Sequence, residues 1–328
     1  MRRWLAGRGI QYLGVLSVVA TLNFLLPRSL PGGPLRGLAG EDVGELTARQ
    51  REQILAAYGL DRPLPEQFAS YLGGLLRGDF GRSFRSGRPV LEVVGEALPW
   101  TLLLVGTATV IGAVLGIALG VWSARRRQRA PGGGNGIVTS SLMVDSLPAF
   151  WVGMLLIVAF GVTLGWLPTF GARSPGLRAE GWGAVRDIAA HLVLPVTALV
   201  GAGIAQLVLI TRSSMVSVLG ADFLDHQQAR GLPERRRTRH ALRNGLLPVH
   251  TVLMLEIGWI VGGALVVETV FAFPGLGRLT FEAIGARDFP LMQGAFLLLS
   301  VTVIILNLLA DLTYPLLDPR LRARSVEP

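Results

Sequence analysis

The chain of 328 residues contains no cysteine, and all 31 of its residues that are Lys or Arg are arginine. Without Cys, structural disulfides, thiolate zinc sites, iron–sulfur clusters and cysteine nucleophiles are excluded, and thiol usage says nothing about the redox compartment. Without Lys there is no P-loop of the form G-x-x-x-x-G-K-[ST] and no Schiff-base lysine for pyridoxal phosphate. Any ATP that drives this protein is hydrolysed by another chain. Charge is scarce too. Charged residues make up 16% of the chain, whereas a soluble domain carries roughly a quarter. Hydrophobic residues make up 51% and the mean hydropathy is +0.50. That balance excludes an ordinary soluble globule and points to an integral membrane protein.

A helix that crosses about 30 Å of hydrocarbon at 1.5 Å per residue needs about 20 mostly apolar residues. Six stretches qualify: Ile10 to Leu26, Leu98 to Trp122, Ile137 to Leu164 with Pro148 inside it, Leu192 to Ile210, Leu246 to Phe271 and Leu291 to Tyr314. The second is bounded by Trp100 and Trp122, rings that settle at headgroup level, and stops at Arg125-Arg126-Arg127-Gln128-Arg129. Pro148, Pro195 and Pro248 are tolerable in a bundle whose neighbours satisfy the freed carbonyls. The first stretch reads as a span rather than a cleaved leader, because no small-x-small site precedes Pro27.

Arginine placement sets the orientation, since short Arg-rich loops stay in the cytoplasm. With the N-terminus inside, inner segments carry Arg2, Arg3, Arg8, Arg125 to Arg127, Arg129, Arg230, Arg235 to Arg237, Arg239, Arg243, Arg320, Arg322 and Arg324. The short outer loops carry Arg173, Arg178, Arg186, Arg278 and Arg287, nearly balanced by Glu180, Asp187, Glu282 and Asp288. Both termini are expected in the cytoplasm. The net charge of +9 is explained by this asymmetry, and no basic groove with interleaved aromatics is left for nucleic acid.

The chain divides into four regions: 1–30, an N-terminal tail and first span; 31–97, an extracytoplasmic segment; 98–318, a transmembrane core with a cytoplasmic loop at 213–246; and 319–328, a cytoplasmic tail. In the external segment, Thr47 followed by Gln50 predicts a capping box, with Ile54, Leu55 and Tyr58 on one face of a short helix that Gly59 ends. The run Gly78-Asp79-Phe80-Gly81-Arg82-Ser83-Phe84 suits a tight loop, either a connector or a contact for an external partner. Gly132-Gly133-Gly134 reads as a flexible link.

The loop at 213–246 is the most informative. Asp222 is expected to cap a short helix, Gly231 to end it in the left-handed conformation with Leu232 packing back, and Pro233 to open a second helix carrying Arg235 to Arg243. Composition alone leaves two readings open, a basic loop beside anionic lipid or a projecting mechanical element.

The wording of the loop goes further. Asp222-Phe223-Leu224-Asp225-His226-Gln227-Gln228-Ala229-Arg230-Gly231-Leu232, continued by His240-Ala241-Leu242-Arg243-Asn244-Gly245-Leu246-Leu247-Pro248, resembles the cytoplasmic loop of importer permeases driven by ATP-binding cassettes. It is most similar to the first permease subunit of the dipeptide, oligopeptide and nickel importer family. The likeness extends over nearly the whole chain, through Leu60-Asp61-Arg62-Pro63, Gly78 to Ser83, Leu147-Pro148-Ala149-Phe150-Trp151, Val267-Glu268-Thr269-Val270-Phe271, Pro274-Gly275-Leu276-Gly277, Arg287-Asp288-Phe289-Pro290 and Asp318-Pro319-Arg320.

The resemblance implies an all-α, type I importer permease with six transmembrane helices and an external helical segment between helices 1 and 2. It implies a second homologous permease, two cytoplasmic ATPases that bind ATP-Mg, an external solute-binding protein and surrounding lipid. The segment 221–248 would then couple to an ATPase, through Asp222, Asp225, His226, Ala229, Arg230, Gly231 and Leu232. The chain itself is expected to have no catalytic site, cofactor or metal. His191 and His250 are isolated, and no pair has metal-ligand spacing on one helix. There are departures. The family usually has Thr, Ala and Arg where this chain has His226, Gln227 and Gln228, and Pro-Gly-Asp-Pro where it has Pro31-Gly32-Gly33-Pro34.

Carboxylates at membrane depth cost about 2.5 to 3.5 kcal/mol on insertion scales. Glu256, between Leu255 and Ile257 in the fifth stretch, stands where the family often has Gln. It either faces the translocation path and meets a cationic part of the substrate or lies protonated or paired at a helix interface. Asp145, Glu268 and Asp311 are expected to be structural. Short peptides are the expected cargo, with nickel or a metal chelate as the alternative. A self-sufficient secondary transporter is the alternative class, but it predicts inverted repeats that the sequence does not display.

Overall fold

The computed structural model describes residues 2–29, 47–57, 60–176 and 180–317. Pro31 to Pro34, Tyr58, Gly59 and Asp318 to Arg320 lie outside the described residues. The helices are α1 (Arg2–Ser29), α2 (Ala48–Ala57), α3 (Leu64–Leu76), α4 (Val90–Arg129), α5 (Asn135–Asp145), α6 (Ala149–Leu156, continued by a π-helical Ile157–Thr163), α7 (Trp182–Gly201), α8 (Ile204–Leu219), α9 (Asp222–Ala229), α10 (Glu234–Val270), α11 (Leu276–Gly285) and α12 (Phe289–Leu317). Among the described residues the only pairing of β type is an isolated bridge between Arg82 and Pro89.

Gly7–Leu26, Val90–Arg129, Trp182–Gly201 and Phe289–Leu309 are each long and apolar enough to cross a bilayer. Three bent pairs raise that number to as many as seven among the described residues: α5 with α6 and its continuation (93°), α8 with α9 (64°), and the two parts of α10 (43°). Ile10, Leu13, Val18, Val110 and Val114 lie exposed along α1 and α4. Such a surface would drive aggregation in water and is at home among acyl chains.

Three stretches differ from the sequence expectation. The chain turns sharply at Pro148 instead of running through it. Pro148 has no N–H to donate and becomes the residue that caps α6, its carbonyl accepting from Trp151 and Val152 at 3.0 and 3.1 Å. The stretch from Leu192 to Ile210 is two helices, interrupted at Ala202-Gly203, and the first begins ten residues earlier than expected, at Trp182. There Asp187 accepts from the Ser174 N–H and hydroxyl at 2.9 and 2.7 Å, so polar residues that read as loop belong to a helix. Finally, the second helix of the 213–246 loop and the fifth stretch are one element, α10. Gly245 does not break it. Gly245 lets α8 come close, with the Ser214 hydroxyl donating to its carbonyl at 2.7 Å.

The described residues fall into two compact units, one within 1–101 and 274–304 and the other within 102–273 and 305–328. The first is centred on Val90, Val94, Leu276, Phe289, Met292 and Ala295. Gly294 is required there because any Cβ would collide with the buried Val90. Asn23 of α1 donates to the Gln293 carbonyl at 2.6 Å, and Phe24 meets Phe68 edge-on at 5.1 Å between centroids. The capping box forms as the sequence predicts: the Gln50 N–H donates to Thr47 Oγ1 at 3.3 Å, and the Thr47 N–H donates to Gln50 Oε1 at 2.9 Å. Nearby, burial pushes the Tyr71 hydroxyl above its ordinary pKa, partly opposed by the hydrogen bond from Asn23 and the charge of Arg28.

In the second unit, α7 buries Leu194, Val196, Ala198 and Leu199, and α8 buries Ala205, Leu207, Val208 and Thr211. Helix α4 approaches them along a glycine seam. An added Cβ would stand 3.8 Å from Val200 at Gly112, 2.6 Å from Leu207 at Gly116 and 2.5 Å from Thr211 at Gly120. The four-residue spacing puts these glycines on one face and lets backbones approach, as small residues do in lipid.

Candidate functional site

The loop from α8 to α10 is built around one buried leucine. Leu224 of α9 packs with Ala124 of α4, Met215 of α8 and Ala241 of α10. Around this anchor Asp222, Phe223, His226, Ala229, Arg230 and Gly231 are exposed, and Leu232 is half-buried. Asp225 belongs to the same short helix. The helix ends in a Schellman turn. The Leu232 N–H donates to the Gln227 carbonyl at 3.0 Å, the Gly231 N–H donates to the Gln228 carbonyl at 2.9 Å, and Gly231 has φ +75°. One detail differs from expectation. Ala221 precedes the helix and Asp222 is its first residue, with no side-chain cap, so Asp222 favours the helix only through its charge in the first turn.

Polar ties fix the root of this loop. Arg125 and Arg129, at the end of α4, both pair with Glu234 at the start of α10. Gln128 Nε2 donates to the Leu219 carbonyl at 3.3 Å. Gln228, one of the residues that departs from the family pattern, accepts from Arg237 Nη1 at 2.6 Å and so braces α9 against α10 across the elbow. Leu224 and this brace were not singled out from the sequence. A lone leucine in a polar octapeptide was the available signal for the first.

Glu256 lies at the opposite end of the problem. It is 8% exposed, and it faces the interruption between α7 and α8: an added Cβ on Gly203 would stand 2.7 Å from its Oε2. Asp145 is the last residue of α5. The sequence named Glu256 but gave no sign of the helix break that it lies against.

In the first unit, Asp288 is 1% exposed and accepts from Ser83 Oγ at 2.6 Å, the Arg85 N–H at 3.2 Å and the Leu291 N–H at 3.2 Å. Two motifs 205 residues apart therefore meet in one buried anchor.

Apolar-faced helices among the described residues, a sequence with no P-loop lysine and an exposed short helix mounted on two longer ones fit a membrane permease component rather than a motor. The comparisons specify which. Residues 116–323 match the family of the binding-protein-dependent transport system inner membrane component, and the chain belongs to that family. It is 35% identical over 323 residues to the oligopeptide transport system permease protein AppB of Bacillus subtilis, covering 98% of this chain and 99% of that one. It is 37% identical over 323 residues, with the same coverage, to the glutathione transport system permease protein GsiC of Escherichia coli. Among solved structures, the MetNI methionine ABC transporter in an inward-facing conformation matches with a TM-score of 0.54 and 14% identity, covering 70% of this chain and 97% of that chain, which supports a common fold. The protein is a multi-pass permease subunit of a binding-protein-dependent importer.

Proposed function

We propose that this chain is one of two different permease subunits enclosing a path for short peptides across a bacterial plasma (inner) membrane. Two cytoplasmic ATPases holding ATP-Mg drive it, and an extracytoplasmic solute-binding protein supplies the cargo. Peptides are favoured because the relatives above are named for oligopeptides and for glutathione, itself a tripeptide. The arginine bias supports cytoplasmic termini and a cytoplasmic 213–246 loop, leaving 31–97 outside and 98–318 as the transmembrane core. Glu256 then belongs to the translocation path.

The observation that carries this reading is the mounting of α9. Its exposed residues Asp222, His226, Ala229 and Arg230 offer a surface to an ATPase, while Gly231 and Leu232 join it by a closed turn to α10, a helix of 37 residues. A partner that grips α9 moves α10 with no slack link between them, so closure of the ATPase pair biases the spans between two packings.

The absence of native cysteine makes the test clean. In a complex assembled with its sister permease, ATPases and binding protein, Phe223→Cys and Ala229→Cys should each cross-link to a cysteine placed on an ATPase, and ATP-dependent uptake of tri-alanine should require every subunit. Labelling of those thiols by an impermeant reagent from outside the cell, or uptake by this chain alone, would overturn the proposal.

A further inference from the structure

We propose that a cleft beside the C-terminal end of α1, lined by Arg28, Arg62 and Arg82, binds the phosphate of an anionic phospholipid of the phosphatidylglycerol type. The cleft lies within the first unit and has a volume of about 470 Å³. Its wall comes from α1, α3, residues 79–84 and the start of α12. The three arginines share it with a single carboxylate, Asp79, and none of the four makes an ion pair with another described residue. Asp79 Oδ1 accepts instead from the Gly81 N–H at 2.9 Å, and Arg82 Nε donates to the Gly87 carbonyl at 2.7 Å. Positive charge is therefore in excess, and the cleft supplies no counter-charge to match it.

Arg28 is held in place by neutral groups. Gln67 Oε1 accepts from its Nε and Nη2 at 3.2 and 3.0 Å, the Phe24 carbonyl accepts from its Nη1 at 2.9 Å, and its guanidinium carbon stands 3.6 Å from the centre of the Phe24 ring. Gln67 is fixed in turn, its amide donating to the Leu60 and Arg62 carbonyls at 3.2 and 2.8 Å, so one side chain ties Arg28 to the turn that carries Arg62. A guanidinium has five N–H donors, and two of those on Arg28 have no acceptor among the described residues. The Tyr71 hydroxyl, also in the wall, accepts from Asn23 Nδ2 at 3.4 Å and has no acceptor for its own O–H among the described residues. A half-buried cation with fixed orientation and spare donors is a receptor for an oxyanion, and the guanidinium fork matches two phosphate oxygens.

Depth selects the kind of anion. The apolar span of α1 is Gly7–Leu26, and Arg28 lies two residues beyond it, about 3 Å of helix rise. The polar headgroup layer is roughly 5 to 7 Å deep on each side of the hydrocarbon, so Arg28 stands at the level of lipid phosphates. Leu25 and Leu22, at successive three-residue steps back along α1, are exposed, and an acyl chain can run down them from a phosphate seated in the cleft. Phe80 and Phe289 also line the cleft, which suits the ester-linked end of a lipid better than a fully hydrated soluble anion.

The absence of native cysteine in this chain gives a local readout. Ser70 lines the cleft and is exposed, whereas Ala69, also exposed on α3, does not line it. The assembled transporter carrying Ser70→Cys or Ala69→Cys is placed in phosphatidylcholine nanodiscs, and alkylation by uncharged N-ethylmaleimide is followed by mass spectrometry of the α3 peptide. Replacing part of the phosphatidylcholine with phosphatidylglycerol should slow the reaction at Ser70→Cys well beyond any change at Ala69→Cys. Arg62 has no side-chain partner among the described residues, so its replacement leaves the packing intact. Arg62→Gln should raise the phosphatidylglycerol fraction that halves the rate by about fivefold, the worth of one arginine against an anionic headgroup. Arg62→Lys, which keeps the charge, should retain most of the protection.

Equal slowing at both cysteines would reduce the effect to general surface potential and overturn the proposal, as would protection that Arg62→Gln leaves unchanged. Protection by inorganic phosphate in pure phosphatidylcholine, equal to that given by phosphatidylglycerol, would assign the cleft to soluble anions and not to lipid. Protection that appears only when the solute-binding protein is added would make the cleft a protein interface and overturn the lipid assignment as well. None of these measurements reads transport, so their outcome is independent of the peptide-import reading.

Discussion

The helix end at Gly231 and those at Ala272 and Arg287 use one backbone motif under opposite circumstances. At the end of α10 the Phe273 N–H donates to the Glu268 carbonyl at 2.8 Å and the Ala272 N–H to that of Thr269 at 3.2 Å; at the end of α11 the Asp288 N–H donates to Ala283 at 2.9 Å and the Arg287 N–H to Ile284 at 3.1 Å. The left-handed residue is Ala272 at φ 47° in one and Arg287 at φ 53° in the other. A side chain in that conformation costs about 1 to 2 kcal/mol, which glycine avoids. The residue immediately after each turn accounts for the difference. Phe273 and Asp288 are both essentially inaccessible, whereas Leu232 is only half-buried. Burying a Phe side chain stabilises by about 1.5 to 3 kcal/mol, enough to hold a strained turn in place. The exposed elbow has no such anchor and is built from glycine.

The comparison breaks most visibly at Asp288. Asp288→Ala removes the acceptor shared by Ser83, Arg85 and Leu291 and leaves buried donors unsatisfied, so a loss of about 3 kcal/mol or more is expected. Thermal unfolding in detergent should show it, together with new protease cleavage between residues 77 and 89. A loss below about 1 kcal/mol would mean that the strained turn at Arg287 is held by something other than its buried successor.

A pair of exchanges sharpens the contrast at smaller magnitude. Gly231→Ala meets no atom within 4 Å, so its cost should be the conformational one alone, about 1 kcal/mol. Ala272→Gly should be neutral or stabilising by up to about 0.5 kcal/mol, although Ala to Gly inside a helix costs about 1 kcal/mol. Chemical denaturation of both variants gives the two signs. The same sign for both would remove the distinction.

What could be read from the sequence was local. Gly231 followed by Pro233 marks an elbow within three residues, Thr47 and Gln50 mark a cap, and arginine asymmetry needs no tertiary contact. What escaped depends on neighbours distant in the chain. The 213–246 loop looks separate from the fifth stretch until Gly245 is seen inside one helix, its carbonyl accepting from Ser214 of α8. Gly201-Ala202-Gly203 looks like a smooth part of an apolar run, yet the helix parts there and Glu256 lies against the gap. Asp187 and His191 look like loop residues, but the His191 ring nitrogen lies 2.9 Å from the Asp187 carbonyl one turn back, and the Asp187 carboxylate is occupied by Ser174. The meeting of Ser83 with Asp288 has no local signal at all beyond both lying in motifs outside the apolar stretches.

The smallest expected effect is at the root of the elbow, where Glu234 takes both Arg125 and Arg129. All three side chains are substantially exposed, so water and salt screen their attraction, and holding long side chains in one geometry offsets part of what remains. The elbow is therefore held by Leu224 and the Schellman turn, and the ion pairs only bias its direction. Glu234→Gln should shift the unfolding midpoint by no more than about 2 °C at low salt. The difference from the unaltered chain should vanish near 0.5 M sodium chloride, where the screening length falls to roughly 4 Å. A shift that survives high salt, or exceeds that of Gly231→Ala, would make charge rather than backbone geometry the fastening of α9 to α10.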